Sequence, residues 1–127
     1  RILLVEDEPT NSFAVAQLLK KKGFSVVTAS NGALSLQALL EACFDAIFMD
    51  IQMPVMDGIE VTRRIRNGET GESNKNIPII AMTAYAMTGD REKFLNAGMD
   101  GYLSKPVDID SLLEEFSNVL RERGKLN

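Results

Sequence analysis

Ala46-Ile47-Phe48-Met49-Asp50 is a run of four apolar residues that ends on a carboxylate. Two other runs end in a similar way. Ile2-Leu3-Leu4-Val5 leads into Glu6-Asp7, and Ile79-Ile80-Ala81-Met82 leads into Thr83. A short continuous apolar run bounded by turn signals is the pattern of a strand buried on both faces of a parallel sheet. In open parallel sheets the ligand site lies just beyond the carboxyl ends of the strands. Glu6, Asp7, Asp50 and Thr83 are therefore expected to gather at one end of one sheet. Three carboxylates and a hydroxyl in that place predict a divalent metal and phosphate chemistry.

The 127 residues suffice for one domain with a full core, and no internal repeat, low-complexity tract or boundary divides residues 1–127. The net charge of −4 gives no general attraction to nucleic acid or to an anionic membrane. Lys20-Lys21-Lys22 is too short to reverse that and reads as the wet end of a helix. The absence of histidine excludes a His-based zinc site, a Ser-His pair and a phosphohistidine carrier. A single cysteine, Cys43, cannot form an internal disulfide; set among Leu39, Leu40 and Phe44, it reads as a buried, inert thiol. No signal peptide or membrane-length apolar stretch is visible, so the expected setting is cytoplasmic. The start at Arg1, directly before the first strand, suggests a domain cut from a longer polypeptide.

Strands are predicted over Ile2-Glu6, Ser25-Ala29, Ala46-Asp50, Pro78-Thr83 and Gly101-Ser104, each followed by a helical pattern. Five alternations of strand and helix imply an α/β fold, a doubly wound parallel sheet with right-handed crossovers. The first helix, about Thr10 to Lys22, should bury Val15, Leu18 and Leu19 and stop at Gly23. The second should bury Leu36, Leu39 and Leu40. Asp57 can cap the third, whose Ile59, Thr62 and Ile65 face inward. The fourth spans about Thr88 to Ala97. The fifth, capped by Asp108, sets Ile109, Leu112, Leu113, Phe116, Val119 and Leu120 on one face. The polar, glycine-containing stretch from Asn67 to Asn76 reads as a mobile surface loop.

Taken singly, each site residue has a plainer reading. Glu6 or Asp7 could merely cap the first helix ahead of Pro9, Lys105 could be a solvated lysine, and Thr83 could bond to nearby backbone. Their placement at successive strand ends favours a common site. A carboxylate beside Mg²⁺ can attack phosphorus to form an acyl phosphate, and Lys105 and Thr83 can supply the charge and hydroxyl that the transferring group needs. Lys105-Pro106 is also a candidate cis peptide.

Together these residues resemble the receiver domain of two-component response regulators, essentially from end to end. The motifs are Val5-Glu6-Asp7-Glu8, the run from Met49 through Asp50, Gln52, Met53, Pro54, Met56 and Asp57 to Gly58, Ala81-Met82-Thr83-Ala84, and Lys105-Pro106. The resemblance implies a flavodoxin-like sheet of order 2-1-3-4-5 with five helices, and Asp50 as phosphoacceptor. It implies that Asp7, Asp50 and the main-chain carbonyl of Gln52 bind Mg²⁺ directly, with Glu6 acting through water. Glu6 stands where many relatives have Asp. Thr83, Lys105 and the N–H groups of Gln52 and Ala84 would contact the phosphoryl oxygens. Thr83 and Tyr102 would act as the switch, and the fourth helix, fifth strand and fifth helix as the output surface.

Gln52 and Tyr85, two residues past Asp50 and Thr83, would border the path of a hydrolytic water and tune dephosphorylation. Met53, Met56 and Met87 read as packing or lid residues around the site. The implied partner is a histidine kinase or a histidine phosphotransfer protein, with no nucleic acid binding and no membrane contact by this domain. Three other classes compete. A haloacid-dehalogenase-like phosphatase needs a second Asp where Gln52 stands, and a flavodoxin-type FMN carrier needs a phosphate loop where Glu6-Asp7-Glu8-Pro9 stands. A degenerate receiver would lack site residues that are present here. The sequence motifs are most similar to receivers of hybrid histidine kinases.

Overall fold

The computed structural model describes residues 1–84 and 88–125. Five strands, β1 (Ile2–Val5), β2 (Val26–Ala29), β3 (Ala46–Asp50), β4 (Ile79–Thr83) and β5 (Gly101–Ser104), form one parallel sheet in the order β2-β1-β3-β4-β5. Five helices alternate with them: α1 (Pro9–Lys21), α2 (Gly32–Glu41), α3 (Gly58–Arg66), α4 (Thr88–Ala97) and α5 (Ile109–Lys125). The flavodoxin-like order expected from the sequence is the one observed.

Side chains of a strand alternate between faces, so each apolar run feeds two cores. Leu3, Val5, Ile47, Met49, Ile79 and Ala81 pack on the side of α2, α3 and α4 with Leu39, Ile65 and Phe94. Ile2, Leu4, Phe48, Ile80 and Met82 pack on the other side with Leu19 of α1 and Leu112, Phe116 and Val119 of α5. The Phe48 and Phe116 rings meet edge to face with centroids 5.7 Å apart. Every residue of β1, β3 and β4 is buried, which explains why their sequences do not alternate.

The caps follow the sequence closely. Asn31, Asp57 and Asp108 accept hydrogen bonds from the N–H groups of Leu34 (2.8 Å), Glu60 (2.9 Å) and Ser111 (2.8 Å). The cap of α1 is Glu8, which accepts from Asn11 N–H at 2.7 Å. That releases Glu6 and Asp7 from the capping role open to them on sequence grounds.

Helix faces are narrower than the apolar patterns suggest. Leu40 of α2 and Leu120 of α5 are 66% and 48% exposed, because each sits on the flank beside the buried Leu39 and Val119. Leu18 is only half-buried. Cys43 lies past the end of α2, in the turn that leads to β3, and is exposed rather than buried.

The segment 67–76 also departs from expectation. It contains a 3-10 turn (Glu72–Asn74), and its Asn74 side chain is buried, donating to the carbonyls of Leu39 (3.0 Å) and Thr70 (2.9 Å). Arg66, at the end of α3, holds the far side. Its guanidinium donates to the carbonyls of Gly98 (2.9 Å), Lys75 (3.0 Å) and Ile77 (2.7 Å) and to Asp100 (3.0 Å). Asp100 Oδ2 also accepts from Arg123 of α5 (3.1 Å) and from Ile79 N–H (2.9 Å). Gly98, at φ +107°, leaves room for the arm; a Cβ there would come within 2.8 Å of Arg66 Cγ. Arg66→Ala is expected to destabilise the domain by about 3 kcal/mol in urea unfolding, since it strands three carbonyls and a partly buried Asp100. Arg66→Lys should recover less than half of that loss, because one ammonium cannot reach four acceptors on diverging segments.

Candidate functional site

The chain leaves β1 for α1 on one face of the sheet and leaves β3 for α3 on the other. A crevice opens where neighbouring strands send their connections to opposite sides. Glu6 and Asp7 follow β1, Asp50 ends β3, Thr83 ends β4, and Lys105 follows β5. The register brings them together: Val5 pairs with Met49, Asp50 with Met82, and Thr83 with Ser104. Lys105 N–H donates to Thr83 O at 2.8 Å, which fixes where its side chain starts.

One carboxylate oxygen from each of Glu6, Asp7 and Asp50 lies within 4.8 Å of the others. Glu6 and Asp50 are buried, and Asp7 stands at the open side. The Lys105 ammonium reaches across to both buried acids, 2.8 Å from Asp50 Oδ1 and 3.1 Å from Glu6 Oε2. Asn11 Nδ2 of α1 approaches Glu6 Oε1 at 3.4 Å. Gln52 N–H donates to Asp50 Oδ1 at 3.2 Å. Asp50 is thus asymmetric. Oδ1 has two donors, while Oδ2 is buried and has no hydrogen-bond partner among the described residues.

Burial raises the Asp50 pKa above the usual carboxylate range; Glu6 adds to the rise and Lys105 opposes it. Asp7 is raised too, by desolvation and then by the neighbouring Asp50. For Lys105, burial works against the ammonium, but its contacts with Asp50 and Glu6 outweigh that and hold its pKa above the ordinary value. One cation against three carboxylates leaves an excess of negative charge. A hard divalent cation fits this donor set, since the orphaned Asp50 oxygen and the open-side Asp7 present oxygen ligands with room for water.

The structure brings together the carboxylates of Glu6, Asp7 and Asp50 and the Lys105 ammonium, with Thr83 at the end of the strand next to Asp50. Thr83 is buried, and Ala84 is exposed just beyond it. Tyr102 is half-buried on β5, with its ring 6.5 Å from that of Phe94 and the Arg91 guanidinium 6.0 Å from its centroid. Tyr85 and Met87 lie outside the described residues. Met53 is buried and Met56 packs against the α2–α3 core, in keeping with packing roles. Asn11 was not singled out from the sequence; its spacing from Glu6, about one helical turn into α1, is the signal that could have found it.

Comparison with known proteins agrees with this geometry. Residues 2–117 match the family model described as response regulator receiver domain. The chain is 42% identical over 119 residues to hybrid signal transduction histidine kinase I of Dictyostelium discoideum, covering 90% of this chain and 7% of that protein. It is 40% identical over 114 residues to sensor protein GacS of Pseudomonas syringae pv. syringae, covering 90% of this chain and 13% of that protein. The chain therefore spans a small part of these relatives. A crystal structure of the receiver domain of sensor histidine kinase PA1611 from Pseudomonas aeruginosa PAO1 superposes with a TM-score of 0.79 at 41% identity. The match covers 89% of this chain and 90% of that one, and that protein holds a magnesium ion in its active-site cleft.

The raised carboxyls have a consequence for stability. A carboxyl whose folded pKa lies above its unfolded value favours folding when protonated, and that contribution is lost as pH rises through the folded pKa. These two carboxyls should therefore add stability to the metal-free protein as pH falls from neutrality toward the ordinary aspartate value of 3.8, against the opposite contribution of Asp108, whose pKa is lowered by its hydrogen bonds with Ser111. Asp50→Asn should raise the melting temperature at neutral pH and flatten this dependence. Thermal scans in a chelator across that range check both.

Proposed function

We propose, from the chain's membership of the response regulator receiver family, that it accepts a phosphoryl group from a phosphohistidine on a partner and stores it on Asp50. The chain belongs to that family, and receiver domains serve two-component phosphorelays. The observation that carries the assignment to Asp50 is its uncommitted, buried Oδ2 at the end of β3, beside a lysine ammonium. The carboxylate attacks phosphorus as the phosphorus–nitrogen bond breaks, and the bonding electrons leave on the imidazole. The product is an acyl phosphate. The partner contributes the activated phosphoryl group, while this chain contributes the nucleophile and its surroundings.

Asp7, Asp50 and the main-chain carbonyl of Gln52 would hold Mg²⁺, with Glu6 acting through water. When bound, the ion neutralises charge on the phosphoryl oxygens and the carboxylates. Lys105 would turn from Asp50 and Glu6 toward the incoming phosphoryl group, and the Thr83 hydroxyl and the N–H groups of Gln52 and Ala84 would donate to its oxygens. Gln52 N–H already faces Asp50, which supports that part of the reading. Thr83 and Tyr102 would carry the change to the surface formed by α4, β5 and α5. Tyr102, packed between Phe94 and Arg91, can exchange one set of contacts for another.

Residues 1–127 would form one receiver domain, and the partner would be a histidine kinase or a histidine phosphotransfer protein. The likeness to hybrid kinases favours a place within such a protein, on its cytoplasmic part. No described helix is long and apolar enough to cross a membrane. A phosphatase reading is disfavoured because Gln52, which cannot protonate a leaving group, holds the place of the needed acid.

Incubation with Mg²⁺ and a small acyl-phosphate donor should add one hydroxylamine-labile phosphoryl group, read by intact mass. Asp50→Asn should abolish the gain, and a chelator should prevent it. Uptake that persists in Asp50→Asn would sink the assignment. Tyr85→Ala is expected to speed loss of the phosphoryl group severalfold by opening the path for water. An unchanged lifetime would remove Tyr85 from that role.

A further inference from the structure

Glu8 caps α1 by accepting the Asn11 N–H at 2.7 Å, and Pro9 follows as the first helical residue. Asn11 is therefore the third residue of α1. In a capping box the side chain at that position turns back to the N–H of the cap residue. Asn11 does otherwise. Its Nδ2 reaches past the cap to Glu6 Oε1, at 3.4 Å. The side chain thus leaves the helix and enters the acidic cluster, a placement that the capping of α1 does not require.

Glu6 is buried, so the donors around its carboxylate decide where it points. Lys105 Nζ meets both of its oxygens, Oε2 at 3.1 Å and Oε1 at 3.4 Å. Oε1 is therefore shared by Asn11 and Lys105 at equal distance. The same ammonium lies 2.8 Å from Asp50 Oδ1. Glu6, Asn11 and Lys105 line one cleft of about 330 Å³ with Met82 and Pro106, which gives the lysine room to shift. Loss of the Asn11 amide would leave a buried carboxylate oxygen short of a donor. Lys105 is the group placed to supply one, by closing on Glu6 and drawing away from Asp50.

We propose that Asn11 is a positioning residue for phosphoryl transfer: its amide holds Glu6 toward α1 and so keeps the Lys105 ammonium beside Asp50, where the incoming phosphoryl oxygens need it. This rests on the reading of Asp50 as the phosphoacceptor. Asn11 acts through Glu6 and Lys105, not on the phosphoryl group itself. The role depends on the length of the Glu6 side chain. Aspartate is shorter by one carbon–carbon bond, about 1.5 Å. A carboxylate set back by that much lies beyond the reach of Nδ2, which already stands at 3.4 Å. Asn11 and Glu6 are a matched pair.

A double-mutant cycle of Asn11→Ala and Glu6→Asp tests the pair. Each protein is given a small acyl-phosphate donor at varied Mg²⁺, and the rate of phosphoryl uptake is read by intact mass. With Glu6 in place, Asn11→Ala should lower the maximal rate about fivefold, the scale of one hydrogen bond. The Mg²⁺ concentration for half-maximal rate should stay unchanged. Urea unfolding in a chelator should show no loss of stability, since alanine is the better helix former. In the Glu6→Asp background, Asn11→Ala should leave the rate unchanged. An undiminished maximal rate in Asn11→Ala with Glu6 in place would overturn the proposal. Equal slowing in both backgrounds would place the effect outside the Glu6 contact and overturn it too. A lower unfolding midpoint together with a raised Mg²⁺ requirement would make Asn11 a structural residue, with the same result. Absence of uptake by the unmodified chain would instead remove the phosphoacceptor reading on which the proposal rests.

Discussion

A sheet covered by helices on both faces allows polar side chains only at its ends. In this chain every residue of β1, β3 and β4 is buried, so the strands cannot alternate apolar and polar residues. Chemistry is displaced to the residues where each strand stops. Because all strands run in parallel, their carboxyl ends lie at one edge, and that edge collects Glu6, Asp7, Asp50, Thr83 and Lys105. The crevice between the connections after β1 and β3 then leaves the cluster open to ligands. The burial requirement thus builds the sheet and locates the site.

The same burial makes the site electrostatically unsettled. Two of its three carboxylates are removed from water, and one ammonium serves both. Burial lifts the Asp50 pKa and opposes the charge on Lys105, while the short contact between them favours the charged form of each. An arrangement with an excess of negative charge and an unpaired carboxylate oxygen favours an added cation and an electrophile. Asn11 and Gln52 N–H restrain the acids without neutralising them. The contacts at this edge therefore keep charge in place more than they stabilise the fold.

The opposite edge of the sheet follows another logic. Asp100 and Arg66 tie together the starts of β4 and β5, the end of α3 and the last turns of α5. There Arg66 and Arg123 share the one carboxylate of Asp100, and the other Arg66 donors are spent on backbone carbonyls.

The strands, their order of occurrence and the acids that gather at their ends were legible in the sequence because strand burial writes itself as unbroken apolar runs, and strand ends as the first polar residue. The caps at Asn31, Asp57 and Asp108 were legible or nearly so, since capping is local chemistry. Which of Glu6, Asp7 and Glu8 caps α1 was not, because all three carry the same group and only the chain path selects Glu8. The exposure of Leu40, Leu120 and Cys43 was likewise hidden, as apolar residues in a helical pattern do not reveal how wide a face the sheet covers. Arg66 and Asn74 gave no local signal: their partners lie at Lys75, Ile77, Gly98 and Asp100, and at Leu39, distant along the chain or across it. The sequence by itself determined the elements and the chemistry at their ends, since both follow from local pattern and the geometry of parallel strands. Only the tertiary structure decided which oxygen of Asp50 is left unpaired and how Lys105 divides itself between two acids, because each depends on distances between segments that the chain order does not contain.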